Sequence, residues 1–355
     1  MRLQHVIEDL VCKLLLAQGQ HPSCGKVSSG KILVVTFDAI GDMVLTTPVL
    51  RAIRKIFADS SMDILCSSRN YPVIRDCGYL ADIYCCDLNG AVFSSHEWRT
   101  LRRLRQNNYA RVINLFDEPS ALALAKISCL SDKIDSLPLL HKGERQQRIA
   151  ARLSERFRYS KPVAYRYFTE RLFGILELWG ETIPHHYKYE ICLSDATRTN
   201  VGVKYGEMIS GALVFNPQGS REDNTLGEAQ AADILGALLA KGQRVILFAS
   251  PFTQRLLQKN RNLAAERNLV VIADDGILEV AAIIASADEV LTTDTSIAHI
   301  AVALEKPVTI MKSSSQWWRM FDPPYGDCRV LIAGGSGAVS AISVKEVLSS
   351  LKCLA

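Results

Sequence analysis

Short apolar runs punctuate the chain from residue 30 onward, at Lys31 to Phe37, Met62 to Cys66, Ile83 to Cys86 and Arg111 to Leu115. Several of the stretches between them follow a helical repeat. A second set of runs begins at Ala212 to Asn216 and continues with Arg244 to Ala249, Leu269 to Ile272, Glu289 to Thr292 and Pro307 to Met311. Strands that stay apolar on both faces and alternate with helices predict parallel sheets covered on both sides. Two such alternations in 355 residues predict two α/β domains, each doubly wound.

The pattern also sets boundaries. Leu3, Val6, Ile7, Leu10, Val11, Leu14 and Leu15 recur at helical spacing and predict an amphipathic helix over residues 2–17. His21-Pro22-Ser23-Cys24-Gly25 then forms a linker, so residues 1–29 stand apart from the first domain, residues 30–184. The apolar face of the helix packs on the body or on a second subunit, or lies on a membrane surface. A basic, polar loop is expected at His141 to Arg148, and residues 165 to 180 look helical. Ile183-Pro184-His185-His186-Tyr187 breaks the helical pattern and opens a connection over residues 185–210; the histidine pair reads as surface. The second domain covers residues 211–335, and a final helix near Val344 to Leu351 falls in residues 336–355.

Composition narrows the class. A net charge of +4 argues against a dedicated nucleic-acid-binding protein. No apolar run reaches the roughly 18 residues of a membrane span. Glu8, Asp9 and Lys13 interrupt the opening segment where a signal peptide would be continuously apolar, which predicts a cytoplasmic chain. The ten cysteines contain no C-x-x-C pair and read as reduced core thiols, not as zinc ligands or disulfides.

Candidate chemistry gathers where strands run into helices. Thr292-Thr293-Asp294-Thr295-Ser296 separates the strand at Val290-Leu291 from an Ala/Ile/Val-rich helix containing His299. Whichever of Asp294, Thr295 or Ser296 is the N-cap, free backbone N–H groups and the positive helix end suit an anion such as phosphate. Near the N-terminus, Asp38-Ala39-Ile40-Gly41-Asp42 lies between the first strand and a helix read from Leu45 through Pro48 to Phe57. With one glycine and no G-x-G-x-x-G, this turn is not a dinucleotide-binding fingerprint. Asp42 is expected on the turn, at the carboxyl end of the strand.

The ordered residues Ile40-Gly41-Asp42-Met43-Val44-Leu45-Thr46-Thr47-Pro48-Val49-Leu50-Arg51-Ala52-Ile53, Phe215-Asn216-Pro217-Gln218-Gly219-Ser220-Arg221 and Thr293 through Val308 resemble glycosyltransferase family nine, the ADP-heptose:lipopolysaccharide heptosyltransferases. The resemblance spans roughly residues 30 to 330 and rests on three motifs in order. It implies the GT-B arrangement, two doubly wound Rossmann-like domains facing a central cleft. The acceptor binds to the first domain and the nucleotide sugar to the second, and the last helix packs back on the first domain. It further implies an inverting transfer of heptose from ADP-heptose to an inner-core lipopolysaccharide sugar, in the cytoplasm, with peripheral contact to the inner membrane left open. No nucleic-acid partner, cofactor or metal is expected.

Such a transfer needs a base for the acceptor hydroxyl and positive groups for the departing diphosphate. Asp42 is the candidate base, with an N-cap role as its structural alternative and Asp38 a weaker candidate. Gly219, Ser220, Arg221, Asp294, Thr295, Ser296 and His299 are the candidate donor-binding residues. His299 serves either as a donor to the leaving group or as a packed, satisfied core histidine. Lys312 and Trp317-Trp318-Arg319 are expected in a loop overlooking the same site.

Two departures from the family pattern stand out. Glu222-Asp223-Asn224-Thr225-Leu226 replaces a lysine followed shortly by Trp-Pro, so that the basic contact to the donor is either lost or moved to Arg221. Ser296 replaces a glycine. A nucleotide-sugar epimerase of the same double fold and a non-catalytic sugar- or lipid-binding module are the alternative readings.

Overall fold

A computed structural model describes residues 30–87, 95–116, 134–138, 158–160, 165–273, 276–314, 316–335 and 337–354. The helix expected over residues 2–17 and the loop expected at 141–148 lie outside these residues. The chain divides into two compact units, Met1–Tyr187 and Lys188–Ala355.

The first unit is built on a six-stranded sheet of β1 (Gly30–Val35), β2 (Ser60–Cys66), β3 (Ile83–Cys85), β4 (Arg111–Asn114), β5 (Ile134–Ser136) and β6 (Arg158–Tyr159). All strands are parallel, in the order β3-β2-β1-β4-β5-β6. That is the Rossmann order, and the direction of winding reverses between β1 and β4. Ile32 to Val35 are fully buried, as a strand covered on both faces requires.

Helix α1 (Ile40–Ile56) follows β1, α2 (Ser95–Gln106) follows β3, and α3 (Phe168–Phe173) packs against α1. Arg111 is buried against Asp135, which also accepts from Trp179 Nε1 at 2.7 Å and lies 3.5 Å from Arg158. One carboxylate thus ties three strand positions together, and charges this deep persist only when paired.

Helix α1 starts earlier than expected. Pro48 resembles a first-turn proline, yet it sits in the helix interior, with Ile40, Gly41 and Asp42 forming the first turn. An interior proline withholds the N–H that the Val44 carbonyl would receive. Thr47 Oγ1 supplies the missing donor at 2.7 Å. Thr46 Oγ1 donates to the Asp42 carbonyl at 2.7 Å, and Thr169 Oγ1 reaches the Leu45 carbonyl from α3 at 2.9 Å.

The second unit repeats the topology. Its strands are β7 (Leu213–Asn216), β8 (Val245–Phe248), β9 (Leu269–Ile272), β10 (Glu289–Thr293), β11 (Val308–Lys312) and β12 (Cys328–Ile332). They form a parallel sheet ordered β12-β11-β10-β7-β8-β9, so the reversal falls between β7 and β10. Asp195–Tyr205, within the stretch expected as a connection, forms helix α4 and packs on α7 (Ile277–Ser286). Helices α5 (Glu228–Ala240) and α6 (Pro251–Lys259) follow β7 and β8, and α8 (Ser296–Ala303) follows β10.

The last helix, α9 (Val344–Ser349), adds to the core of the second unit. Val347 and Leu351 are buried in the second unit's core with Phe215, Ile234, Leu235 and Leu238. Gln230 Nε2 of α5 donates to the Ile342 carbonyl, and Glu289 accepts from the backbone of Lys352 and Cys353 at 2.9 Å each. Among the described residues, no helix is long and apolar enough to cross a membrane.

Candidate functional site

Each sheet reverses its winding at one place; the first reversal carries one of the sequence motifs and the second carries the other two. Open α/β sheets bind ligands beyond the carboxyl ends of the strands at these positions.

In the first unit, the β1–α1 turn is held at several points. Thr36 Oγ1 donates to Asp38 Oδ2 at 2.9 Å, and the buried Asn70 donates to the Asp38 carbonyl at 3.0 Å. Phe37, from the end of β1, meets Phe116, beyond the end of β4, edge-on at 6.1 Å. Asp42 is half-buried in the first turn of α1, at the helix's positive end, so it projects from a helix rather than from the turn. The N-cap position falls to Ala39, which has no side-chain acceptor, so Asp42 is not the N-cap.

In the second unit, Asn216 ends β7 and its amide joins the two arms of the reversal. Nδ2 lies 3.0 Å from Thr292 Oγ1, 3.2 Å from Thr295 Oγ1 and 3.2 Å from the Gln218 carbonyl. Asn224 adds a second tie, donating to the Asp294 carbonyl at 2.6 Å. Gly219 N–H donates to Thr225 Oγ1 at 3.1 Å, and a Cβ at Gly219 would stand 2.3 Å from the Asn224 carbonyl oxygen. Only glycine allows that approach. Ser220 is exposed, and Arg221 donates through Nε to Asp223 Oδ1 at 2.9 Å.

Thr295 is the N-cap of α8 and makes no side-chain capping bond. Its hydroxyl is instead within hydrogen-bond distance of Asn216 and Thr292. The first N–H groups of α8 therefore lack the side-chain acceptor that usually occupies this position, which suits an external anion. Ser296, the first residue of the helix, does not require positive φ, so the absence of glycine introduces no strain.

Asp294 and His299 occupy less exposed positions. Asp294 is largely buried 3.5 Å from Lys312 Nζ, the last residue of β11, and Lys312 also bonds Asp322. Burial raises the carboxyl above its usual range, and the neighbouring ammonium opposes that rise. Lys312 is thus a buried, doubly paired cation and not part of an open loop. His299 is 5% exposed, and burial lowers its pKa to about 3, so the ring is neutral near pH 7. Its Nδ1 has no hydrogen-bond partner, so the histidine is packed without being satisfied.

Asn224 and Asp322 carry part of this architecture without having stood out in the sequence. Asn224 acts on Asp294, 70 residues away, and Asp322 on Lys312, ten residues away across a loop; the one local signal was the adjacency of Asn224 to a glycine-containing loop. The side chains of Trp317 and Trp318 lie outside the described residues. Among the described residues, no group of three or more His, Cys, Asp or Glu side chains has the arrangement to hold a metal ion.

Comparison with known proteins adds an independent line. Residues 97–327 match the family model for glycosyltransferase family 9 (heptosyltransferase). A lipopolysaccharide heptosyltransferase 3 of Escherichia coli K12 is 25% identical over 293 residues, 79% of this chain and 82% of that protein.

Two solved structures share the fold at lower identity. The family 9 glycosyl transferase of Veillonella parvula superposes with a TM-score of 0.77 at 16% identity, over 94% of this chain and 99% of that one. Escherichia coli ADP-heptose lps heptosyltransferase II gives 0.73 at 17%, over 91% and 98%. With the match covering well over half of its length, the chain belongs to glycosyltransferase family 9, the heptosyltransferase family, and is a glycosyltransferase of GT-B fold class.

Proposed function

We propose that this glycosyltransferase moves heptose from ADP-heptose to an inner-core sugar of lipopolysaccharide, with inversion at the transferred carbon. The observation that carries the reading is the β10–α8 turn. There an uncapped helix start, the Thr295 and Ser296 hydroxyls and a loop that tolerates no side chain at Gly219 form a cradle for a diphosphate. The names of the relatives point to heptose, to lipopolysaccharide and, for one of them, to an ADP-linked donor.

In this proposal the second unit holds the donor. Gly219, Ser220 and Arg221 face the diphosphate from one arm, and Thr295, Ser296 and the first N–H groups of α8 from the other. Asp294 accepts from a sugar hydroxyl and does not touch the phosphates, because a carboxylate would repel them. His299, buried and neutral, supports the turn from within the helix. The first unit supplies Asp42 as base. As the acceptor oxygen attacks the sugar carbon opposite the departing nucleotide, its proton passes to the Asp42 carboxylate, and the C–O bond to the diphosphate breaks with its electron pair on ADP.

Helix ends and a guanidinium can neutralise that developing charge, so no metal is required. The reaction would take place on the cytoplasmic side, with an acceptor carried by the inner membrane. The test is direct: purified protein is offered ADP-heptose and a heptose-free inner-core acceptor, and the product is weighed by mass spectrometry. A gain of one heptose with inverted anomeric configuration is expected. No transfer, combined with preferential calorimetric binding of UDP, GDP or CDP over ADP, would overturn the reading.

A further inference from the structure

We propose that Lys312 is a positioning residue for the donor: paired with the Asp294 carboxylate, it holds that group ready to accept from a hydroxyl of the transferred sugar. The proposal rests on the donor reading above, in which Asp294 meets the sugar.

The backbone of Asp294 is fixed on both sides. Its N–H donates to the Met311 carbonyl at 3.1 Å, near the end of β11, and its own carbonyl accepts from Asn224. The side chain is directed from the neighbouring strand, where Lys312 Nζ stands 3.5 Å from Oδ2. The Lys312 side chain is 3% exposed and that of Asp294 11%, so the carboxylate, and not the ammonium, is the group a ligand can meet. Lys312 therefore acts through Asp294.

Lys312 also donates to Asp322 Oδ1 at 2.5 Å, just beyond the short helix Gln316–Phe321. Stability alone does not call for such a cluster, because apolar side chains of similar volume commonly replace buried ion pairs without loss. Its place argues for a ligand: β11 neighbours β10, whose turn into α8 forms the anion cradle. A bare carboxylate beside that cradle would repel a diphosphate, and the ammonium behind it offsets the repulsion.

The same pairing sets the proton on Asp294. Burial raises its pKa, Lys312 opposes the rise, Asp322 adds to it and Arg221 opposes it further. His299, on α8, has a pKa of about 3 and stays neutral above pH 6, so it adds no titration there. Without Lys312 the balance shifts towards the protonated carboxyl, which offers a proton where the carboxylate only accepts. The sugar contact should then weaken as pH falls and return as pH rises.

The test measures calorimetric dissociation constants of the full chain for ADP and for ADP-heptose, without acceptor, between about pH 6 and 9. The ratio of the two isolates the sugar, because effects on the diphosphate cancel. Wild type is expected to favour ADP-heptose by a ratio that stays flat with pH. Lys312→Met should cut the ratio at least about fivefold near pH 6 and regain it towards pH 9. Lys312→Arg, which keeps the cation, should hold the ratio flat. Lys312→Gln stands in for Lys312→Met should that variant fail to fold.

A folded Lys312→Met or Lys312→Gln protein that keeps the wild-type ratio at every pH would overturn the positioning role. So would an equal loss of affinity for both ligands, which would mark Lys312 as structural. Equal wild-type affinity for ADP and ADP-heptose would also overturn it, by removing the sugar contact of Asp294. Failure of the donor reading looks different: wild type would prefer UDP, GDP or CDP to ADP, and the ratio would then be taken with that diphosphate and its sugar nucleotide.

Discussion

The two sheets have the same strand order and the same point of reversal, yet the turns at those points are built differently. The β1–α1 turn offers carboxylates: Asp38 engaged with Thr36, and Asp42 half-buried in a helical first turn whose cap is an alanine. The β7 and β10 turns offer hydroxyls, amides and a close-packed glycine, cross-tied by Asn216 and Asn224. Topology favours ligand binding at both, and the proposed function assigns proton acceptance to the first turn and anion binding to the second.

The sharpest way to break this division of labour is Asp42→Asn. Loss of proton acceptance with shape retained should lower turnover by about 10²–10⁴-fold while ADP affinity stays within a few-fold, measured by steady-state kinetics and calorimetry. Near-normal turnover would mean that the first turn does not supply the base.

The complementary break is Gly219→Ala, whose new Cβ would meet the Asn224 carbonyl oxygen and push the loop from the turn. ADP affinity should fall by about tenfold or more, equivalent to roughly 1.4 kcal/mol. Unchanged calorimetric affinity in the folded variant would take the Gly219 loop out of the donor site.

A further test concerns pH. His299 has a folded pKa of about 3 against an ordinary value of 6.5. A depressed folded value means that the neutral ring's contribution is fully present above about pH 6.5 and is lost as pH falls towards 3. Each pH unit within that window should cost about 1.4 kcal/mol for this one group. His299→Gln should flatten the pH dependence of denaturant unfolding between pH 7 and 5, and an unaltered slope would show that the buried ring is not its source.

The smallest expected effect is none at all: activity should survive exhaustive chelation, because the proposed mechanism neutralises the diphosphate with helix N–H groups and Arg221. Loss on EDTA treatment restored by magnesium or manganese would assign a ligand role to acids near the donor, with Glu222 and Asp223 the first to examine.

The central strands could be read from sequence because a strand covered on both faces must be apolar throughout. β5 and β6 escaped notice because they have three and two residues and include the polar Asp135 and Arg158, whose charges are paired only through the fold. The half-exposed β12 lacked the continuous burial that marks its neighbours. At the turns, the hydroxyl-rich cap of α8 was visible as a local pattern. Asn224 with Asp294 and Lys312 with Asp294 and Asp322 were not, because a side chain's partner across a sheet leaves no periodic trace. An amphipathic stripe likewise announces that α9 must be buried, but not against which core.

The proline inside α1 ties the substitution histories of four positions together. While Pro48 persists, Thr47 is the donor to the Val44 carbonyl, and Thr169 on another helix serves the neighbouring turn. A lineage that exchanges Pro48 for a residue with an N–H regains the main-chain donor, which releases Thr47 and eases the demand on Thr169, so that both can drift towards apolar side chains. In a lineage that keeps the proline, losing either hydroxyl should be tolerated only with compensation nearby. Pro48, Thr46, Thr47 and Thr169 are thus expected to vary as a group among descendants of this chain.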